Sequence, residues 1–580
     1  MKGAYSKTYL CTKLKTGNVQ DAVEIESINF KNNIMALFLG RCIYNFNSFS
    51  DIPPIYCQNP KCKAVFSIID IQNKISTPLN TIWFCPFCKK NNTIEYTTIN
   101  LRIPEQFSVY YLLDKNGEIQ TTNLKEAEEL YKIQINNKNA TVIFCIDISG
   151  SMNLTLENAN ANDSKYFENK KYPSRLGCIK YAIDGYISQL IQKKPLVKVG
   201  FVCFGGSVSI LGDCRRPQNI LPSNILNNSQ ELYQLGQKEA NEFISTSIIE
   251  SQNRLMEMLQ QLSADKGGGT ALGPAFLYSL GLAVSGAKGS EIILCSDGLA
   301  NVGLGSIESN DSKTINDSRK FYTDIGKLAK ENAVKISVIS IVTEECKLEM
   351  FDPIVDLTGG IMNKIDPLKL NEALNCIFDD PLVATDVRYE SHVQHCFEFT
   401  KIIFGDLSED KSCLMIEIDN ASQNSTYTNE ITLMGKEILN KLKKETNLDI
   451  CSIQNYPVQY KIYFTNLANQ KCLLILTQLH EITKNENESA QNFQLGIVGK
   501  HIVQYAANLA KKGKYKEAEE YLITERAKYQ NDPNLNMDLR LMEISLHDQN
   551  NSDQNQNSLT KHKDILSIHL NCAFKTSHVN

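Results

Sequence analysis

Four cysteines constrain this chain more than any other feature. Cys57 and Cys62 have four residues between them, Cys85 and Cys88 have two, and 22 residues separate the pairs. Each pair can set two thiolates on one tight knuckle, and two knuckles complete a tetrahedral site of four sulfurs. Pro86 and Phe87 inside the second pair suit such a turn. No histidine lies nearby, so the expected site is all-cysteine, closed and structural, with Zn²⁺ as the ion that suits four thiolates. The alternative is four unrelated buried thiols. Eight-ligand cross-braced modules are excluded, because the neighbourhood offers four ligands. Lys61, Lys63, Lys89 and Lys90 beside the knuckles read as a solvated rim rather than a nucleic-acid surface.

Length and charge narrow the rest. The 580 residues suggest about three to four domains. Sixty basic against 65 acidic side chains leave a formal charge of −5, so no global field favours nucleic acid or anionic membrane. No segment approaches the roughly 20 apolar residues that span a bilayer. The first residues lack the apolar core of a signal peptide, and a cytoplasmic location is expected. The 18 cysteines are then metal ligands and reduced core thiols rather than disulfides. All eight histidines lie at or beyond His392. Histidine-based acid–base chemistry is thereby removed from the N-terminal two thirds, and a non-enzymatic role is expected.

Along the chain, texture changes mark boundaries. Residues 1–50 read as short strands, 51–104 as the four-cysteine module and 105–140 as a linker. From Thr141 continuous apolar runs (141–146, 197–204, 291–295, 334–342) alternate with amphipathic helical periodicity (175–193, 250–262, 274–283). Continuous runs indicate parallel strands covered on both faces, and the alternation predicts a doubly wound α/β domain over 141–385. Residues 386–495 are β-rich, 496–547 form a helical hairpin, and 548–580 are a polar tail.

A second constellation falls at the ends of the α/β strands, where open sheets bind ligands. The first strand leads into Asp147-Ile-Ser149-Gly-Ser151, whose two hydroxyls can face one hard cation while Asp147 supplies charge directly or through water. Mg²⁺ takes oxygen ligands and keeps several waters. Gly267-Gly-Gly-Thr270 before an apolar helix and Ser296-Asp297-Gly298 after a strand bring further oxygens. The glycine-rich segment does not follow the Gly-x-x-x-x-Gly-Lys-Ser/Thr phosphate pattern, and no other segment supplies it. Without that loop, Asn363-Lys-Ile-Asp366 does not make a guanine-reading motif.

The set Asp147, Ser149, Ser151, Thr270 and Asp297 resembles the metal-ion-dependent adhesion site of von Willebrand factor type A domains. That resemblance implies direct ligation of Mg²⁺ or Mn²⁺ by Ser149, Ser151 and Thr270. Asp147 and Asp297 would act largely through water, leaving one position open for an acidic side chain of a protein partner. The order of parts, with Pro54-Ile-Tyr-Cys57 to Cys62-Lys-Ala-Val-Phe and Ile82-Trp-Phe-Cys85-Pro-Phe-Cys88 ahead of the α/β domain, is similar to the inner-coat subunits of the COPII vesicle coat. Those carry a zinc ribbon, a type A trunk, a β-sandwich and a helical domain, and their N-terminal strands complete the sandwich. The resemblance implies a multidomain α/β plus β chain of that architecture, acting as a protein-interaction scaffold. Possible partners are a coat sister subunit or a small GTPase, with peripheral recruitment to endoplasmic-reticulum or vesicle membranes. Nucleic acid is not an expected partner. The alternative is a coat component proper, in endoplasmic reticulum to Golgi transport.

Overall fold

The computed structural model describes residues 9–14, 23–29, 32–67, 69–70, 74–76, 80–95, 108–135, 140–155, 166, 172–265, 267–297, 300–307, 312–341, 347–365, 370–446, 455–483, 495–529, 539–540, 542–547, 566–570 and 573–574. Contacts divide them into two compact units. One gathers described residues within 1–131, 384–543 and 573–576; the other those within 132–383, 544–572 and 577–580.

The second unit is a doubly wound α/β domain. In chain order it comprises β1 (Thr141–Asp147), α1 (Arg175–Lys193), β2 (Lys198–Phe204), β3 (Val208–Gly212), β4 (Asn219–Ile220), α2 (Ser229–Phe243) and α3 (Ile248–Gln261). Then follow α4 (Leu272–Val284), β5 (Glu291–Ser296), α5 (Ser312–Glu331), β6 (Lys335–Ile341), α6 (Asp352–Thr358), β7 (Met362–Ile365) and α7 (Leu370–Phe378). The sheet order is β4-β3-β2-β1-β5-β6-β7. Strands β2, β1, β5, β6 and β7 are parallel, with β3 and β4 added antiparallel at one edge. Because strand side chains alternate between faces, Ile143 and Cys145 enter one core with α2, α4, α5 and α6. Val142, Phe144 and Ile146 enter the other, with α1, α3 and α7. With both faces covered, the middles of β1 and β5 are continuously apolar, while the polar residues of β6, Lys335, Ser337 and Ser340, are buried. Helix α4 is buried on nearly every side, as a helix apolar all round must be.

The first unit holds two antiparallel sheets and the cysteine module. The larger sheet runs 406–407, 413–422, 382–393, 455–466, 471–483, 108–113, 119–120, with 9–14 also paired to 471–483. The smaller runs 397–399, 427–433, 32–37, 23–29, so N-terminal strands pair with strands some 400 residues later. The expected linker at 105–140 is not one. Ser108–Leu113 pairs antiparallel with 471–476, and Leu124–Ile135 is a helix. Aromatic packing fixes that helix: Phe46 stacks on Tyr131 at 4.0 Å between ring centroids and meets Tyr110 edge-on at 5.1 Å. Helices Leu495–Lys511 and Tyr515–Lys528 form the hairpin, turning at Gly513 with φ of 76°.

Two histidines are buried in this unit. His501 is 1% exposed with Nδ1 3.1 Å from Thr428 Oγ1, and His392 is 6% exposed beside Glu390. Burial pushes their pKa values down to about 3 and about 4 from 6.5. At these two positions the unfolded chain binds more protons than the folded one below pH 6.5, so the stability they contribute is full above that pH and is lost as pH drops towards 4, while the buried Asp70 and Asp147 carboxyls, raised by burial, act in the opposite direction. Each full pKa unit is about 1.4 kcal/mol. In urea unfolding at pH 7.5 and pH 5.0, the midpoint of His501→Gln is expected to fall less on acidification than that of wild type. A drop of equal size in that variant would remove His501 from the account.

Candidate functional site

The cysteine centre forms where two turns face each other. Cys57 and Cys62 flank the turn at 60–62, and Cys85 and Cys88 flank the turn at 86–88, which follows Asn80–Phe84. Lys63 and Lys89, one residue beyond each pair, adopt left-handed φ of 51° and 60°, which reverses the chain after each knuckle. The four sulfurs all lie within 4.8 Å of one another, with Cys57 and Cys88 3.6 Å apart and Cys62 and Cys85 3.8 Å apart. Metal–sulfur bonds of about 2.3 Å at tetrahedral angles put sulfurs about 3.8 Å apart, so the spacing fits a zinc ion. Mutual hydrogen bonding lowers the Cys57 and Cys88 thiols and raises those of Cys62 and Cys85, so without a cation the four share their protons, and four thiolates together need a metal to balance them. The module is anchored on the large sheet by Gln459, whose Oε1 accepts from Val65 N at 2.7 Å and whose Nε2 donates to Val65 O at 2.8 Å.

The second site sits at the carboxyl ends of β1, β2 and β5, where the strand order turns outward in both directions from β1. Asp147, wholly buried, ends β1. Its Oδ1 accepts from Ser149 N at 2.8 Å and its Oδ2 from Ser296 Oγ at 2.6 Å. Burial raises its pKa to about 6 against the lowering effect of those hydrogen bonds. Ser149 and Ser151 present their hydroxyls to each other at 3.0 Å, across the start of the 3₁₀ turn Gly150–Asn153. Ser151 Oγ donates to Asp297 Oδ1 at 2.8 Å, so four of the five expected residues form one connected set.

Thr270 stands on the adjacent loop, one residue before the N-cap of α4. Asn301 Oδ1 accepts from its amide at 2.7 Å, and Ala271 N donates to Gly205 O at 2.7 Å. The loops after β2 and before α4 touch backbone to backbone. A Cβ on Gly269 would lie 2.8 Å from Gly206 Cα, so only glycine permits this approach.

Three more side chains complete the site: Ser296, in the segment already noted for its oxygens, and Asn301 and Arg175, which sequence reasoning missed. Ser296 and Asn301 hold Asp147 and Thr270. Arg175, 4% exposed at the first turn of α1, sets Nη1 2.5 Å from Asp297 Oδ2. Ser174 caps α1 by accepting from Gly177 N at 3.1 Å, and Arg175 N donates to Leu154 O at 3.1 Å, which fixes where the guanidinium enters. An arginine at a helix start reads as solvated; only the fold brings that start beneath the strand ends. Asp265 lies at the exposed rim, its Oδ1 3.4 Å from Gly267 N. Asn363–Ile365 lie in edge strand β7, and Asp366 falls outside the described residues.

No protein-family model matches the chain. A curated protein of Dictyostelium discoideum, circularly permutated Ras protein 1, is 27% identical over 485 residues, covering 81% of this chain and 53% of that protein. The chain thus spans about half the length of that relative. Among solved structures, the human COPII-coat protein Sec24c matches 97% of this chain and 76% of its own with a TM-score of 0.56 at 12% identity. The ArnB paralog VWA2 from Sulfolobus acidocaldarius matches 75% of this chain and 88% of its own, with a TM-score of 0.34 at 13% identity. Among the described residues no helix is long and apolar enough to cross a membrane. At 12% identity the likeness to Sec24c is one of fold, and in that sense this chain shares the architecture of a COPII-coat protein.

Proposed function

We propose that the chain is a non-enzymatic scaffold that binds an acidic side chain of a protein partner through Mg²⁺ or Mn²⁺ held at Ser149, Ser151 and Thr270, with Asp147 and Asp297 bridging by water. The observation that carries this reading is the chain of contacts Asp147–Ser149–Ser151–Asp297, half-buried at Ser151 and buried elsewhere, at the carboxyl ends of the central strands. Two hydroxyls 3.0 Å apart, flanked by two buried carboxylates, match the hard oxygen ligation these cations take. The cation would supply a Lewis-acidic open position; the protein supplies its placement and the surrounding loops that choose the partner. Zn²⁺ at Cys57, Cys62, Cys85 and Cys88 is structural in this reading.

On zinc-loaded full chain, Mn²⁺ titration followed by electron paramagnetic resonance should show one site. Ser149→Ala/Ser151→Ala should weaken it at least tenfold, and an unchanged affinity would defeat the reading. The same pair in a Mg²⁺ pull-down should lose the acidic partner.

A second reading rests on the likeness to Sec24c across nearly the whole chain: a component of a vesicle coat, recruited peripherally to membranes together with a sister subunit or small GTPase. The name of the Dictyostelium relative also points toward a small-GTPase connection. Coat proteins retained equally by wild type and the double variant would favour this reading over the metal-dependent one.

A further inference from the structure

Arg175 gives the cation site a charge balance that the five oxygen-bearing residues alone do not have. Its guanidinium is buried and meets one of the two buried carboxylates, Asp297, at 2.5 Å. The other carboxylate, Asp147, has its oxygens on Ser149 N and Ser296 Oγ, both neutral donors. Among the described residues, the buried charges that touch the site are therefore two negative and one positive; the buried Lys180, further along α1, sets its Nζ on the carbonyls of Gln260 and Leu262 instead. Asp265, a further carboxylate at this end of the sheet, is exposed at the rim, where water and salt screen it.

From this we infer that Arg175 is a built-in counter-ion that couples metal binding to partner binding. The inference rests on the metal-bearing reading above. A divalent cation entering a site of net −1 leaves a surplus of +1, and an arriving carboxylate restores neutrality. Without the arginine, the cation alone would neutralise the site, and the arriving carboxylate would leave a surplus of −1. Arg175 thus weakens the cation when it binds alone and strengthens the acidic ligand once the cation is there. By linkage, the acidic ligand must tighten the cation by the same factor. The arginine also satisfies Asp297 when no cation is present, so the loops stay assembled in the metal-free protein; a buried carboxylate left without a partner would be strongly destabilising. Arg175 acts through Asp297 and is a positioning and charge-setting residue, not a ligand.

The test uses zinc-loaded full chain and Mn²⁺, with sodium acetate as the carboxylate probe against sodium chloride at equal ionic strength. In the wild type, 100 mM acetate should tighten Mn²⁺ severalfold. Arg175→Met should bind Mn²⁺ alone at least tenfold more tightly than wild type, and the gain from acetate should shrink towards nothing. Arg175→Lys, which keeps the charge, should restore the wild-type pattern. Arg175→Gln serves as the neutral variant should the methionine fail to fold. Loss of a merely structural side chain would weaken Mn²⁺, not tighten it.

Mn²⁺ affinity that is unchanged or lower in both neutral variants overturns the inference while leaving the metal reading intact. Absence of Mn²⁺ binding in wild type and neutral variants alike overturns both. Binding by the neutral variants without acetate, and by wild type only with acetate, supports the inference in its strongest form.

Discussion

Replacing Cys85 with serine is expected to unfold the four-cysteine module while leaving the α/β domain folded. The buried core of the module consists of Cys57, Cys62, Ala64, Phe66, Trp83, Cys85, Phe87 and Cys88. Half of those residues are the four cysteines themselves, whose sulfurs could hold a metal ion. Without a metal, one alanine and three aromatic residues would have to hold the turns together against the conformational entropy of several dozen residues, at about 1–2 kcal/mol each. A four-thiolate zinc site contributes on the order of 10–16 kcal/mol at pH 7, comparable with the whole stability of an ordinary domain. Removing one ligand should therefore forfeit most of what folds the module. The chain carries its own reporter, since its single tryptophan is Trp83, wholly buried and edge-on to Phe66 at 5.1 Å. Tryptophan emission should shift to the red in Cys85→Ser, or in wild type stripped of zinc by a strong chelator. Wild type should release one zinc equivalent on denaturation and the variant much less. Retained short-wavelength emission in a zinc-free variant would mean four unrelated buried thiols.

How far the sequence reaches depends on whether the determining contacts are local. The cysteine centre is legible because each knuckle is made within six residues and only two such pairs must meet. The α/β domain is legible for a related reason: strands buried on both faces are rich in consecutive apolar residues, so 142–146 and 292–295 announce themselves without knowledge of their neighbours. Ser108–Leu113 escapes notice although its central residues are apolar. Its partner strand begins more than 350 residues away, and no local signal separates a short sheet strand from an apolar patch in a linker. Arg175 is the clearest miss. Its type, and its place at a helix start, both suggest water, and only the convergence of α1, β1 and β5 on one point shows that it faces a carboxylate instead. Ser149, Ser151 and Asp297 were readable as a set because the motif order carries the information that distance does not.

A second large effect is expected far from any ligand, at the crossing of α2 and α4. Gly236 and Gly281 face each other there with no side chain between the helices. A Cβ on Gly281 would lie 2.4 Å from Tyr233 O and 2.9 Å from both Gly236 Cα and Gln237 N. These are backbone atoms, so no rotamer change can relieve the contact, and α2 must move bodily away from α4. Overpacking a core costs typically about 1–3 kcal/mol, and a backbone collision falls at or above the top of that range. Gly281→Val should accordingly lower the Tm of the α/β domain by roughly 6–12 °C, at 2–4 °C per kcal/mol for a domain of this size. The consequence reaches the strand ends because α4 starts two residues after Thr270, whose loop is held by Asn301 and by the contact of Ala271 N with Gly205 O. A tilted α4 drags Thr270 away from the two serines, and Mn²⁺ affinity should fall with the Tm. Gly281→Ala, which meets the same atoms with one methyl group, should give an intermediate result. Trp83 emission should not change in either variant, because the cysteine module belongs to the other compact unit. An unaltered Tm in Gly281→Val would show that the two helices are not held as closely as these distances require.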